Sequence, residues 1–154
     1  MTPAVLTPRQ QVAITALVQA GRLVSVAVDL AKAERFLAAA TTGLADLTRA
    51  GVGLSPRSRH RLAYDAAHDA VESLLAAYGY KTASGPGAHQ ALAAAVQAIL
   101  HAPPAAAQAA AAYDALRQQR NADHDRAGVI TSSEAARAVQ VATLLVGTTS
   151  VRLA

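Results

Sequence analysis

The 154-residue chain carries 41 alanines, 53% hydrophobic and 3% aromatic residues, and no cysteine, which suits one domain and excludes disulfides, thiol catalysis and thiolate metal sites. So little aromatic and β-branched content leaves a large sheet without its usual material and favours helices whose backbones approach closely. Fourteen Lys/Arg against ten Asp/Glu give a net charge of +4, which permits a polyanion partner but falls short of the basic density of an architectural nucleic-acid binder.

In chain order, Thr7-Pro8 is an N-cap followed by proline at the first helical position, and Val12, Ala16, Leu17 and Ala20 keep helical spacing up to Gly21. The link Arg22 to Val28 reads as extended or helical. Asp29 caps a second helix through Ala33, Phe36, Leu37, Leu44 and Leu47, ending before Gly51. Ser55-Pro56 repeats the cap-and-proline signal and opens a third helix to Tyr78, stopped by Gly79. On that helix Ala63, Ala67, Ala70, Val71, Leu74, Leu75 and Tyr78 share one arc, and Arg61, Asp65, Asp69 and Glu72 the other. Lys81 to Gly87 reads as a loop, and a fourth helix from Ala88 to Ala102 ends at Pro103-Pro104. A fifth helix runs from Pro104 to Asp123. Thr131-Ser-Ser-Glu134 forms a capping box for a sixth, toward Thr148. The expectation is an all-α, antiparallel bundle of five to six helices in one domain over 1–154, its core spanning 29–148 and an N-terminal helix over 8–21 packed on it.

The N-terminus MTPAVLTPRQ lacks the pattern of a secretory signal. Thr82 to Tyr113 is free of Asp, Glu, Lys and Arg, but prolines and glycines interrupt it, so it cannot supply the ~20 apolar residues of a membrane span. These features predict a cytoplasmic protein with no membrane contact.

The chemistry concentrates in the fifth helix. Tyr113, Arg117, Arg120, Asn121 and His124 fall within an arc of about 100° because spacings of three, four and seven return to one face. Ala112, Ala115, Leu116 and Ala122 lie on the other side. If that side packs inward, two guanidinia, an amide and an imidazole are presented together. Arginine matches the geometry of phosphate oxygens, and histidine trades a proton near neutral pH. Together they could support metal-free RNA cleavage, in which a ribose 2′-hydroxyl attacks phosphorus while imidazole moves the proton. One helix supplies one proton-transfer group, so a partner His124 from a homodimer would complete the pair. The competing reading is a polar helix end in which Arg117 bridges to Asp114 or Asn121. A helix-turn-helix would use Arg117 to Asn121 in a major groove, but the proline-proline junction fits that motif poorly.

The chain resembles the HEPN domain family of prokaryotic toxin–antitoxin and defence proteins. Arg117 and His124 enclose six residues, similar to that family's arginine-to-histidine motif, and Arg120-Asn121 resembles its recurrent Arg-Asn pair. The segment from Arg61 through Tyr64, His68, Leu74, Leu75 and Gly79 to Tyr80, and then Gly87-Ala-His89, are further matches in order. The resemblance implies a dimeric helical bundle and, in active branches, metal-independent endoribonuclease activity with Arg117 and His124 catalytic and Arg120 and Asn121 binding substrate. It also implies RNA or a nucleotidyltransferase-like protein as partner. The alternative it leaves open is a non-catalytic interaction module that binds such a partner or a nucleotide. No cofactor is expected. Asp65, His68, Asp69 and Glu72 have the spacing of a metal site on one helical face, but the acids point away from His68 on the wheel, so an exposed acidic face is the expectation and no metal is assigned. His89 reads as a helix-start residue or a partner in an interhelical hydrogen bond, and His60 and His101 carry no signal.

Overall fold

The computed structural model describes residues 1, 5–126 and 129–154, with the side chains at 52 and 123–126 outside that description. The described residues are mostly helical, forming six helices and one two-stranded sheet. In order these are α1 (Pro8–Gln19), β1 (Leu23–Ser25), α2 (Leu30–Ala50), α3 (Pro56–Tyr78), β2 (Tyr80–Thr82), α4 (Ala88–Ile99), α5 (Pro104–Arg126) and α6 (Ser132–Leu153), with one 3₁₀ turn, Gly51–Gly53, after α2. Among the described residues no helix is long and apolar enough to cross a membrane.

The start signals act as the sequence suggests. Thr7, Asp29, Ser55 and Thr131 each accept a backbone N–H from the first turn of the helix that follows, and Thr7 and Thr131 form reciprocal capping boxes with Gln10 and Glu134. Helix ends differ more. α4 stops at Ile99 rather than Ala102, and α5 and α6 run on to Arg126 and Leu153. The stop of α4 at Ile99 follows from Pro103, which has no N–H for the carbonyl four residues before it, and the fully buried Gln10 of α1 donates its Nε2 to that orphan carbonyl at 2.6 Å.

α1 also turns a different face inward from the one its spacing suggests. Ile14 and Gln10 are buried, whereas Val12 and Ala16 are exposed. The link after α1 is extended, and the first two residues of the expected Lys81 to Gly87 loop pair with it: β1 and β2 run antiparallel with Leu23 opposite Thr82 and Ser25 opposite Tyr80. Gly79 makes that turn. It ends α3 at φ 78°, and an added Cβ would stand 2.9 Å from the Val26 carbonyl oxygen, a position only glycine fills without displacing backbone.

α3 is the central element, packed mainly against α2 and α6. Its expected apolar arc, Ala63 to Tyr78, is buried throughout, but the division into a core face and a water face holds only for its first half. From Ala70 onward Val71, Ser73, Leu74, Leu75, Ala76, Ala77 and Tyr78 are all buried, and Ser73 satisfies its hydroxyl on the Ala33 carbonyl at 2.7 Å. Small side chains make this enclosure feasible. Ala40 of α2, Ala70 of α3 and Val146 of α6 meet in a satellite cluster beside the main core.

Candidate functional site

The fifth helix is the expected carrier of chemistry, and its orientation inverts part of the expectation. Tyr113 is fully buried, Leu116 is 2% exposed and Arg117 8% exposed, while Ala115 and Ala122 face solvent. Of the side expected inward, Leu116 is buried and Ala112 half-buried against the core while Ala115 and Ala122 are outside, and Tyr113 and Arg120 pack toward α3. Burial of the large Tyr113 ring outweighs that of the alanine methyls, since hydrophobic gain scales with the apolar area removed from water.

That packing joins α3 and α5 as antiparallel neighbours: His60 hydrogen-bonds Gln119 at 3.1 Å, and two turns along α3, His68 Nδ1 meets the Tyr113 hydroxyl at 3.0 Å. Between them lies a layer of rings. Tyr64 stacks on Tyr113 with centroids 6.0 Å apart and on His68 at 5.9 Å, and His68 in turn faces the ring of His89, from the start of α4, at 5.9 Å. The Arg120 guanidinium sits over the Tyr64 ring, 5.0 Å from its centroid, within cation–π range.

The two arginines differ in their partners. Arg117 Nε donates to Asp114 Oδ1 at 2.8 Å, the pairing that the competing reading of this helix anticipates, and Gln118 Nε2 holds the other carboxylate oxygen at 2.8 Å. Arg120, half-buried, has a buried Nε without a hydrogen-bond partner. Asn121, beside it in sequence, is exposed. The helix backbone continues through His124, whose side chain lies outside the described residues.

Electrostatics around the ring layer follow from burial. Desolvation, reinforced by the nearby charges of His89 and Arg120 and opposed by Asp65, holds the His68 pKa below the ordinary histidine value, so the ring is disposed to stay neutral. Burial and then the neighbouring Tyr64 push the Tyr113 hydroxyl well above the usual tyrosine range, and desolvation also raises Tyr64. A neutral hydroxyl at Tyr113 suits donation to a neutral His68. Glu72 Oε1 stands 3.9 Å from His68 Nε2, and desolvation raises its pKa, with Lys32 opposing and Asp69 adding to the rise. The series Glu72, His68, Tyr113 has the order of a carboxylate, imidazole and hydroxyl relay. It cannot generate a nucleophile there, because the hydroxyl is sealed in the core and resists ionisation.

The expected acidic face of α3 is only partly in water: Asp65 is exposed, while Asp69 and Glu72 are half-buried and both have raised pKa values, Asp69 through desolvation and then Asp65. Among the described residues no three His, Asp or Glu side chains gather to hold a metal ion. Reading from sequence missed the convergence of His68 and His89. The available signal was the spacing of four that puts Tyr64 and His68 on one edge of the apolar arc, where a polar ring must find a buried partner.

No protein-family model, curated protein or solved structure matches this chain.

Proposed function

We propose that the chain is a HEPN-type protein of the toxin–antitoxin or defence kind that engages RNA through the end of α5 and cleaves it without metal, acting as a homodimer in the cytoplasm. The observation that carries this reading is Arg120: a guanidinium held in place on the Tyr64 ring, with an unpartnered buried Nε and the exposed Asn121 next to it. A guanidinium whose plane is fixed on a ring presents its donor fork in a set direction, which suits phosphate oxygens. In this reading Arg120 and Asn121 hold the phosphate. Arg117, engaged with Asp114, orients the end of α5 and contributes its charge through that pair. The role of His124 in moving the proton of the ribose 2′-hydroxyl rests on the resemblance of the sequence.

The test is incubation of the purified protein with labelled single-stranded RNA and tRNA in EDTA, with mass recorded by light scattering. Cleavage by a dimer that disappears in Arg120→Ala and His124→Ala is the expected result. A folded dimer that leaves both RNAs intact would overturn the catalytic reading in favour of a non-catalytic module that pairs with a nucleotidyltransferase-like protein or a nucleotide. A cleaving monomer would overturn the requirement for a partner His124.

A further inference from the structure

A second site lies away from the ring layer. The end of α2 and the starts of α3 and α6 enclose a pocket of about 550 Å³, within the ~300–1,000 Å³ usual for small-molecule sites. Leu47, Leu54 and Val139 supply apolar lining, Thr48 and Ser132 also line it, and Arg59 is the one ionisable residue among its described lining residues. The Arg59 Nε is buried and has no hydrogen-bond partner.

A guanidinium N–H withdrawn from water without an acceptor is costly to the fold, and native structures seldom leave one so unless something else supplies the acceptor. Two acids close in sequence to other lining residues are engaged elsewhere: Glu134, two after Ser132, accepts the Thr131 N–H at 2.7 Å, and Asp46, beside Leu47, pairs with Arg49 at 2.6 Å. Pro56 and Ser132, each the first residue of its helix, also line the pocket. The positive poles of α3 and α6 therefore open at the same wall as Arg59, and both favour negative charge. The apolar groove of about 430 Å³ along α6 provides the contrast: its arginine, Arg152, donates its Nε to the Tyr78 hydroxyl at 2.8 Å.

We propose that this pocket binds a small amphipathic anion, its phosphate or carboxylate head on Arg59 and its apolar body against Leu47, Leu54 and Val139. The site is independent of RNA cleavage and survives the failure of that reading.

Titration calorimetry on the full chain with octyl phosphate, octanoate, octylamine and inorganic phosphate, the amphiphiles kept below their micelle concentrations, tests it. One site per chain is expected for octyl phosphate or octanoate, the tighter of the two identifying the head group. Loss of a charge-assisted hydrogen bond in Arg59→Gln should weaken binding by about tenfold or more. Arg59→Lys, which keeps the charge, should weaken it less, and Thr48→Phe, which fills the mouth, should abolish it; circular dichroism checks that each variant is folded. Equal binding of octylamine, or unchanged affinity in a folded Arg59→Gln or Thr48→Phe variant, would overturn the assignment to Arg59 and this pocket. Inorganic phosphate binding as tightly as octyl phosphate would overturn the apolar half, and no saturable binding of either anionic amphiphile would overturn the whole.

Discussion

Arg117 and Arg120 stand three residues apart on α5 and should respond differently to removal. Arg117 is nearly enclosed and its truncation leaves the half-buried Asp114 with only Gln118 as partner, so Arg117→Ala should cost about 1–2 kcal/mol, below the range for a fully buried pair because Asp114 is partly solvated. Arg120→Ala gives up a cation–π contact of about 0.5–1 kcal/mol while removing an unpartnered donor, so its net cost should be smaller. Urea unfolding of the two variants gives the order, and equal losses would mean that α5 turns another face inward. His68 sets a pH dependence of definite sign. Its folded pKa lies below the unfolded value, so the folded chain binds fewer protons and stability falls as pH drops below about 6.5 toward the folded pKa. Its surroundings are Tyr64, Asp65 and Glu72 of α3, His89 of α4, and Tyr113 and Arg120 of α5. Glu72 and Asp69, with raised pKa values, act oppositely, since stability is gained as they protonate on lowering the pH. The fall in melting temperature from about pH 7.5 to about pH 5.5 should therefore shrink in His68→Gln, and an undiminished fall would assign the effect elsewhere.

At the scale of elements, the chain writes helix starts into its sequence and leaves most ends and faces to tertiary contact. Thr7-Pro8, Asp29, Ser55-Pro56 and Thr131 to Glu134 are legible because a cap is satisfied within four residues. The end of α4 is legible to within three residues from Pro103-Pro104, but the donor that meets its last carbonyl, Gln10, stands 89 positions away. The same holds for faces. Helical spacing marked Val12 and Ala16 of α1 as inward, but a glutamine that both closes a capping box and reaches α4 rotates the helix about that bond. The site was half legible for this reason: the residues of α5 are identifiable from type and spacing, whereas the side they face depends on where Tyr113 finds room against α3. Gln10→Leu should leave the buried Ile99 carbonyl unsatisfied and cost about 1–3 kcal/mol, whereas Gln11→Leu, which removes only an exposed bond to Thr15, should stay within about 0.5 kcal/mol. Comparable losses in chemical denaturation would show that Gln10 acts through helix propensity alone.

Across the whole molecule, the N-terminal segment is tied to the rest at several independent points. Gln10 joins α1 to the end of α4, β1 pairs with β2, the Val26 N–H donates to the Gly79 carbonyl at 2.9 Å, and the Asp29 N–H donates to Ala76 at 3.1 Å, binding the start of α2 to the end of α3. Ile14 of α1 and Leu23 of β1 belong to the same buried cluster as Leu74, Leu75 and Ile99. A segment that shares its core with the central helix has no separate hydrophobic unit to melt from, so the chain should unfold in one cooperative step. Far-ultraviolet dichroism, which weights all six helices, and tyrosine fluorescence, dominated by the residues Tyr64, Tyr78, Tyr80 and Tyr113 around α3, should then give superimposable thermal transitions. An earlier dichroic step without change in tyrosine emission would locate a separately melting α1 and weaken the link through Gln10. Leu74→Ala, a truncation at a site with no exposure, should lower both transitions together by about 2–5 kcal/mol of stability. If it lowered only the tyrosine transition, α3 would no longer be the element through which the bundle's halves share one core.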